Sequence, residues 1–315
     1  MTTINCDMGE AFGLYRMGDD EALMPLISVA NVACGFHASD FNHMRKTVRL
    51  AKQHHVKVGA HPSLPDLQGF GRREMKMSRD ELANCIIYQV GALKGFLEAE
   101  DVALNHIKPH GSLYGMAARS DAVAHAICDA ADVFKTPLMG MIGTQHEIVY
   151  RSRGHAFIAE YYADLDYDDE GSLIITREHK AVDPADVASR CLRAIAEGKT
   201  RSIHGRDVPV RADSICVHSD TPNAVEVARA VRDLIADIGL TTFPLTSGSI
   251  AVDGVQIGDL PEFDDFVVDS CRIDLFRPTT TIGLDGELKR LATPLDYRIE
   301  RDALRLVVAP PDGAE

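Results

Sequence analysis

The sequence has no C-x-x-C pair and no apolar run approaching the roughly 18–20 residues that a membrane-spanning helix needs. Positive charge is also short: 33 lysines and arginines stand against 47 aspartates and glutamates, a formal net charge of -14. That balance argues against nucleic acid or an anionic membrane as a partner, because phosphate contacts need a basic face. Nucleotide signatures are missing as well. Neither G-x-x-x-x-G-K-[ST] nor a strand-following G-x-G-x-x-G occurs, so any nucleotide has to be held in another way. The seven cysteines, at positions 6, 34, 85, 128, 191, 216 and 271, are odd in number and scattered. They read as reduced thiols in a cytoplasmic protein, and the first residues lack the basic and apolar regions of a signal peptide.

What is present is ordinary globular composition: 45% hydrophobic and 25% charged residues over 315 positions, enough apolar surface to fold without staples. The first 240 residues alternate short apolar runs with amphipathic stretches, as repeated βα units do. Strands are expected at Thr2–Cys6, Ser28–Ala33, Val56–Ala60, Leu104–Lys108, Pro137–Ile142, Ala156–Ala159 and Ser214–Val217. Helix starts are marked by the capping box Ser78–Glu81, by Asp183-Pro184 and Thr221-Pro222, and by Asp40 and Ser120. Seven strands suggest a (β/α) barrel one unit short of eight, with an open doubly wound sheet as the alternative. After Leu240 the pattern changes. Residues 241–315 carry 14 acidic against 7 basic side chains and lose helical periodicity. Strand-like runs at Phe266–Val268, Arg272–Phe276, Thr279–Ile282, Tyr297–Ile299 and Leu304–Val308, with Asp253-Gly254 and Asp285-Gly286 turns, point to a small C-terminal β domain. The last six residues look frayed.

Polar residues recur where the expected strands end: Asn5, Asp7 and Glu10; His37 and Asp40; His61; Lys108 and His110; Glu160 and Asp164; His218 and Asp220. Loops at this end of parallel sheets build active sites. His37, His61, His110 and His218 each precede small or turn-forming residues that leave an imidazole accessible. His106 fits a satisfied core group, and His43, His54, His55, His125, His146, His155, His179 and His204 fit surface positions. Cys34 and Cys216 fit buried, inert thiols. The glycine-flanked loop Leu67–Arg73 ends in Arg72 and Arg73, whose forks suit a carboxylate or phosphate as well as solvent.

These segments together resemble the LamB/YcsF (lactam-utilisation) family. The resemblance is carried by Ile4-Asn5-Cys6-Asp7-Met8-Gly9-Glu10, Asn31-Val32-Ala33-Cys34-Gly35-Phe36-His37-Ala38 and Gly59-Ala60-His61-Pro62-Ser63. It continues through Asp66–Arg73, Lys108-Pro109-His110-Gly111-Ser112-Leu113-Tyr114 and Val210–Pro222, in order across residues 1–240. It implies an incomplete β/α barrel of the glycoside hydrolase and deacetylase type. It also implies one component of 5-oxoprolinase, opening the 5-oxoproline lactam to L-glutamate with ATP (and Mg²⁺) and two partner subunits. Self-assembly into a homo-oligomer is left open. Two departures stand out. Leu165 occupies a position where the family shows arginine, and the chain continues past the family's usual end. That extension resembles the closing β segment of diacylglycerol-kinase-like lipid kinases without their nucleotide-binding half, which implies a docking or scaffolding module.

Opening an unactivated lactam needs a base for water, donors for the developing oxyanion and cations around phosphate. Asp7 or Glu160 suits the base, and His61 and His110 suit donors or proton shuttles. Lys108, Arg72 and Arg73, with Asn5, His37 and His218, suit the substrate and phosphate. Two rivals remain. One is a metal-dependent amide hydrolase or deacetylase holding a divalent ion at Asp7, His37 and His61. The other is a protein that binds a small acid and does no chemistry itself.

Overall fold

The computed structural model describes residues 2–174 and 180–238, and beyond these the backbone of seven short strands. Contacts divide the chain into two compact units, Met1–Leu234 and Ile235–Glu315.

In the first unit, seven parallel strands close into a barrel. They are β1 (Thr3–Met8), β2 (Val29–Ala33), β3 (Lys57–His61), β4 (Leu104–Ile107), β5 (Leu138–Gly140), β6 (Phe157–Tyr162) and, after four short hairpin strands, β11 (Ser214–Val217). The hairpins are β7 (Asp166–Tyr167) with β8 (Leu173–Ile174), and β9 (Lys199–Arg201) with β10 (Asp207–Pro209). The ring order is β1-β11-β6-β5-β4-β3-β2, so β1 is bonded on both sides, to β2 and to β11. An open doubly wound sheet is thereby excluded. The closed parallel α/β barrel, one strand short of eight, is the observed fold.

The sequence dictates this locally. Every residue of β2 is buried, as expected for a strand covered on both faces, and its apolar run is accordingly unbroken except at Asn31. Helix α1 spans Asp20–Leu23 and α2 spans Phe41–Gln53. Helix α2 buries Met44, Thr47, Val48 and Ala51, one stripe at helical spacing. Asp40 caps it by accepting from the amides of Asn42 and His43. Helix α3 (Arg79–Ala99) opens on the Ser78–Glu81 capping box. Helices α4 (Gly111–Arg119), α5 (Asp121–Phe134, capped by Ser120) and α6 (Gln145–Ser152) follow. Helix α7 (Pro184–Glu197) is capped by Asp183 and ends on Gly198 in the left-handed region. Helix α8 (Ala224–Asp237) starts two residues later than Thr221-Pro222 suggests. Among the described residues no helix is long and apolar enough to cross a membrane.

His146 departs from the surface position expected of it. It is fully buried, accepts from the Met141 amide on Nδ1 and donates from Nε2 to the Tyr114 carbonyl. Only a neutral ring can do both. His106 is also fully buried, as expected, and donates from Nε2 to Asn31 Oδ1. Burial pushes both imidazoles down to about 3. In the unfolded chain they return to about 6.5. As pH falls from there toward 3, the unfolded chain takes up protons that the barrel refuses, so stability declines across that window. Denaturant melts across this range are expected to show the loss, and His146→Gln should flatten it. An unchanged slope in that variant would assign the acid sensitivity elsewhere. His179 lies outside the described residues.

In the second unit, β12 (Ala251–Val252), β13 (Val255–Gln256), β14 (Ser270–Ile273), β17 (Leu295–Glu300) and β18 (Ala303–Arg305) form an antiparallel sheet ordered β13-β12-β14-β17-β18. β15 (Thr279–Leu284) pairs with β16 (Glu287–Ala292). The strand pairs Val252↔Val255 and Leu284↔Glu287 bracket the two expected Asp-Gly turns. The turns themselves, the run Phe266–Val268, and residues 274–276 and 306–315 lie outside the described residues.

Candidate active site

The barrel brings the strand-end residues to one place. Asp7 (β1), His61 (β3), Lys108 and His110 (after β4) and His218 (after β11) all line one cleft with Glu10, Arg72, Tyr114, Tyr162 and Asp220. Asp7 and Lys108, 101 residues apart in sequence, form a 2.8 Å ion pair. His61 Nε2 lies 3.3 Å from Asp7 Oδ2 and 2.9 Å from His110 Nδ1. His37 stacks on His110 with ring centroids 3.8 Å apart, and its Nε2 is 3.1 Å from Glu10 Oε1.

Backbone turns create this convergence. Gly9 has φ +72°, and a Cβ there would come within 2.8 Å of Thr47 Oγ1. The turn after β1 that carries Glu10 therefore needs glycine. In the glycine-flanked loop, Phe70 has φ +54° and Gly71 φ +65°. A bulky residue held in the left-handed region costs about 1–2 kcal/mol. Here it aims the Phe70 carbonyl at His110 Nε2, 2.8 Å away, and sets the ring edge-on to His37 and His110.

The hydrogen bonds fix the protons. His61 Nδ1 is 2.7 Å from the Lys108 carbonyl, which can only accept, so Nδ1 carries the hydrogen. By the same logic His110 Nε2 carries one toward Phe70. In neutral rings His61 Nε2 and His110 Nδ1 are then both bare lone pairs, and they face each other at 2.9 Å. Two lone pairs at that distance repel. A cation, either a proton or a metal ion, belongs between them.

Electrostatics follow the same geometry. Burial opposes ionisation of Asp7, but His61 and Lys108 outweigh it and hold the carboxyl well below its usual range. Burial would likewise discharge Lys108, yet Asp7 and Glu160 are among the groups that keep it a cation. Glu10 moves the other way: burial, then Asp7 and Asp220, push it well above the usual carboxylate value. Burial and neighbouring imidazoles hold His37 and His110 well below theirs. His218 is raised: burial opposes the charge, but Asp164, 3.0 Å from Nδ1, prevails.

Several expected site residues have other surroundings. Asn5 is fully buried off the cleft wall, donating to Ser214 Oγ and accepting from Asn31. Glu160 is also off the wall, its carboxylate engaged by Lys108 at 2.8 Å and the Tyr162 hydroxyl at 2.7 Å. Lys108 is 2% exposed between two carboxylates, which leaves little of its charge for an added anion. Arg73 is held outside the cleft by the buried Asp66. Arg72 does reach the wall, lying over Phe70 and bonded to Asp220 at 2.7 Å. Cys34 and Cys216 are buried thiols, raised by burial, Cys34 to about 12. The metal set Asp7, His37 and His61 is not the one assembled. Glu10, His37, His61 and His110 have ligand atoms within 4.8 Å of one another, while Asp7 groups with Cys216 and His218.

Two residues with no role assigned from sequence matter here. Glu10 supplies the carboxylate of the histidine cluster. Asn31, the polar break in β2, accepts from His106 and donates to Asp7 Oδ1 at 2.8 Å, fixing that carboxylate. A lone asparagine inside a buried strand is the available signal, since burial obliges it to find partners.

The model of the LamB/YcsF family matches residues 2–249, nine residues beyond the boundary read at Leu240. The "Lactam utilization protein lamB" of Emericella nidulans is 48% identical over 74% of this chain and 93% of its own length. A 5-oxoprolinase subunit of Bacillus licheniformis is 42% identical over 76% of this chain and 97% of its own. A crystal structure of the lactam utilization protein from Thermus thermophilus aligns with a TM-score of 0.70 at 42% identity, covering 76% of this chain and 97% of that one. With its closed seven-stranded barrel and this agreement over nearly the full length of those relatives, the chain belongs to the LamB/YcsF family.

Proposed function

We propose that the chain is one component of a cytoplasmic 5-oxoprolinase, opening the 5-oxoproline lactam to L-glutamate with ATP and two partner subunits. The observation that carries this reading is the buried Asp7–His61–His110 chain at the strand ends. It sits in a barrel whose relatives from Bacillus licheniformis and Pseudomonas aeruginosa are named as 5-oxoprolinase subunits.

ATP supplies the activation a lactam needs: its γ-phosphoryl group passes to the lactam oxygen and ADP leaves. Water adds to the ring carbon, and the C–N bond breaks as the ring nitrogen takes a proton. A second water hydrolyses the resulting acyl phosphate to L-glutamate and inorganic phosphate. Asp7 is the carboxylate suited to receive the water's proton. It stays ionised, faces the cleft and is oriented by Asn31, whereas Glu160 is committed to Lys108 and Tyr162. His61 and His110 stand beside it, and a cation held between their facing ring nitrogens, 2.9 Å apart, would supply the electrophilic side of the site. Arg72 and His218 are the wall cations suited to the substrate carboxylate.

The cleft is a poor cradle for a triphosphate. Its wall sets the carboxylates of Asp7 and Asp220 against Arg72, while Lys108 is committed to Asp7 and Glu160, so the nucleotide is assigned to a partner. The chain alone, given 5-oxoproline and ATP, is therefore expected to form little or no glutamate, and adding both partners should restore turnover. Robust ATP-dependent turnover by the single chain would contradict this division of labour.

A further inference from the structure

We infer that Glu10, His61 and His110 form a binding site for one divalent transition-metal ion, with His37 holding the Glu10 carboxylate in place. Three lone pairs converge there. His61 Nε2 and His110 Nδ1 face each other at 2.9 Å, and Glu10 Oε1 is 3.5 Å from His110 Nδ1. A proton between the imidazoles would satisfy two of these atoms; a metal ion satisfies all three. The 2.9 Å and 3.5 Å spacings fall within the edges, about 2.8–3.6 Å, of a shell with bonds of about 2.0–2.2 Å, and all three ligand atoms lie within 4.8 Å of one another.

The outer shell is built in the way such sites require. Each ligating histidine donates its other ring nitrogen to a backbone carbonyl, His61 to Lys108 and His110 to Phe70, which fixes the tautomer that exposes the required lone pair. His37 Nε2 donates to Glu10 at 3.1 Å, and its ring is fully buried. Two imidazoles and one carboxylate suit Zn²⁺ or a neighbouring ion and leave a coordination position open. Bound there, the ion would supply Lewis acidity beside Asp7. The inference does not depend on which substrate the cleft takes.

The test uses the full chain, stripped with chelator and dialysed against Zn²⁺. One ion per chain is expected. Glu10→Gln and His110→Gln should lose it, His37→Gln should bind about 10–100-fold more weakly, and the exposed-site control His204→Gln should be unaffected. Absence of stoichiometric Zn²⁺ in the wild type, or its retention by Glu10→Gln, overturns the site. Should the variants fail to fold, Co²⁺-loaded wild type decides. Intense visible bands of four- or five-coordinate Co²⁺ without a thiolate charge-transfer band support it. A thiolate band would place the ion at Asp7, Cys216 and His218 and overturn it, as would the weak spectrum of octahedral Co²⁺.

Discussion

Lys108→Met is expected to destabilise the barrel by about 3–5 kcal/mol, lowering its melting temperature by of order 10 °C. The ammonium sits 2.8 Å from both Asp7 and Glu160 and is 2% exposed. Methionine keeps most of the volume and removes the charge, leaving two buried carboxylates without their cation. At neutral pH at least one must then bind a proton or remain uncompensated. The deficit should shrink as pH falls, because burial of Asp7 without the Lys108 cation favours its neutral form, and taking up that proton removes an uncompensated charge from the folded variant. Thermal and urea melts of the full chain at two pH values check both parts. A change within about 1 kcal/mol would mean that Lys108 is solvated in solution.

His61→Ala should cut glutamate formation by the reconstituted enzyme about 10²–10⁴-fold, the usual range for losing a positioned proton-transfer group. Residues at the rim of an open cleft would be expendable for folding, but His61 is 1% exposed. Its removal leaves the buried Lys108 carbonyl without its donor and empties the space beside Asp7 and His110. A stability loss of about 1–3 kcal/mol should therefore accompany the kinetic one. Turnover measured well below the variant's melting transition separates the two effects. A fold-independent loss under tenfold would make His61 a scaffold residue.

The barrel is legible in the sequence because parallel strands buried on both faces give unbroken apolar runs, and because caps such as Ser78 and Asp183 punctuate the helices. Closure is harder to read. It depends on β1 pairing with β11 across 210 residues, and nothing local in Thr3–Cys6 or Ser214–Val217 distinguishes a closed ring from an open edge. The strand-end rule brings Asp7, His61 and His110 together correctly. It does not order residues by depth, and so it places Asn5 and Glu160 on the wall. Depth is set by which way each side chain turns within the barrel. Arg72 and Arg73 show the same limit: adjacent in sequence, they part because Asp66 captures one and Asp220 the other. His146 escapes the sequence because its helix looks surface-bound there, and its two backbone partners come from Tyr114 and Met141.

Whether ring opening occurs in this chain's cleft is decided by Asp7→Asn. Asparagine preserves the shape and can still accept from Lys108 and Asn31, so the variant should fold and assemble. Glutamate formed from 5-oxoproline should be counted in the three-component mixture with ATP, wild-type chain against variant, partners held constant. A loss of about 10²–10⁴-fold with a normal complex is expected. Glutamate formation at the wild-type rate would contradict a base at Asp7 and move the chemistry to one of the partners.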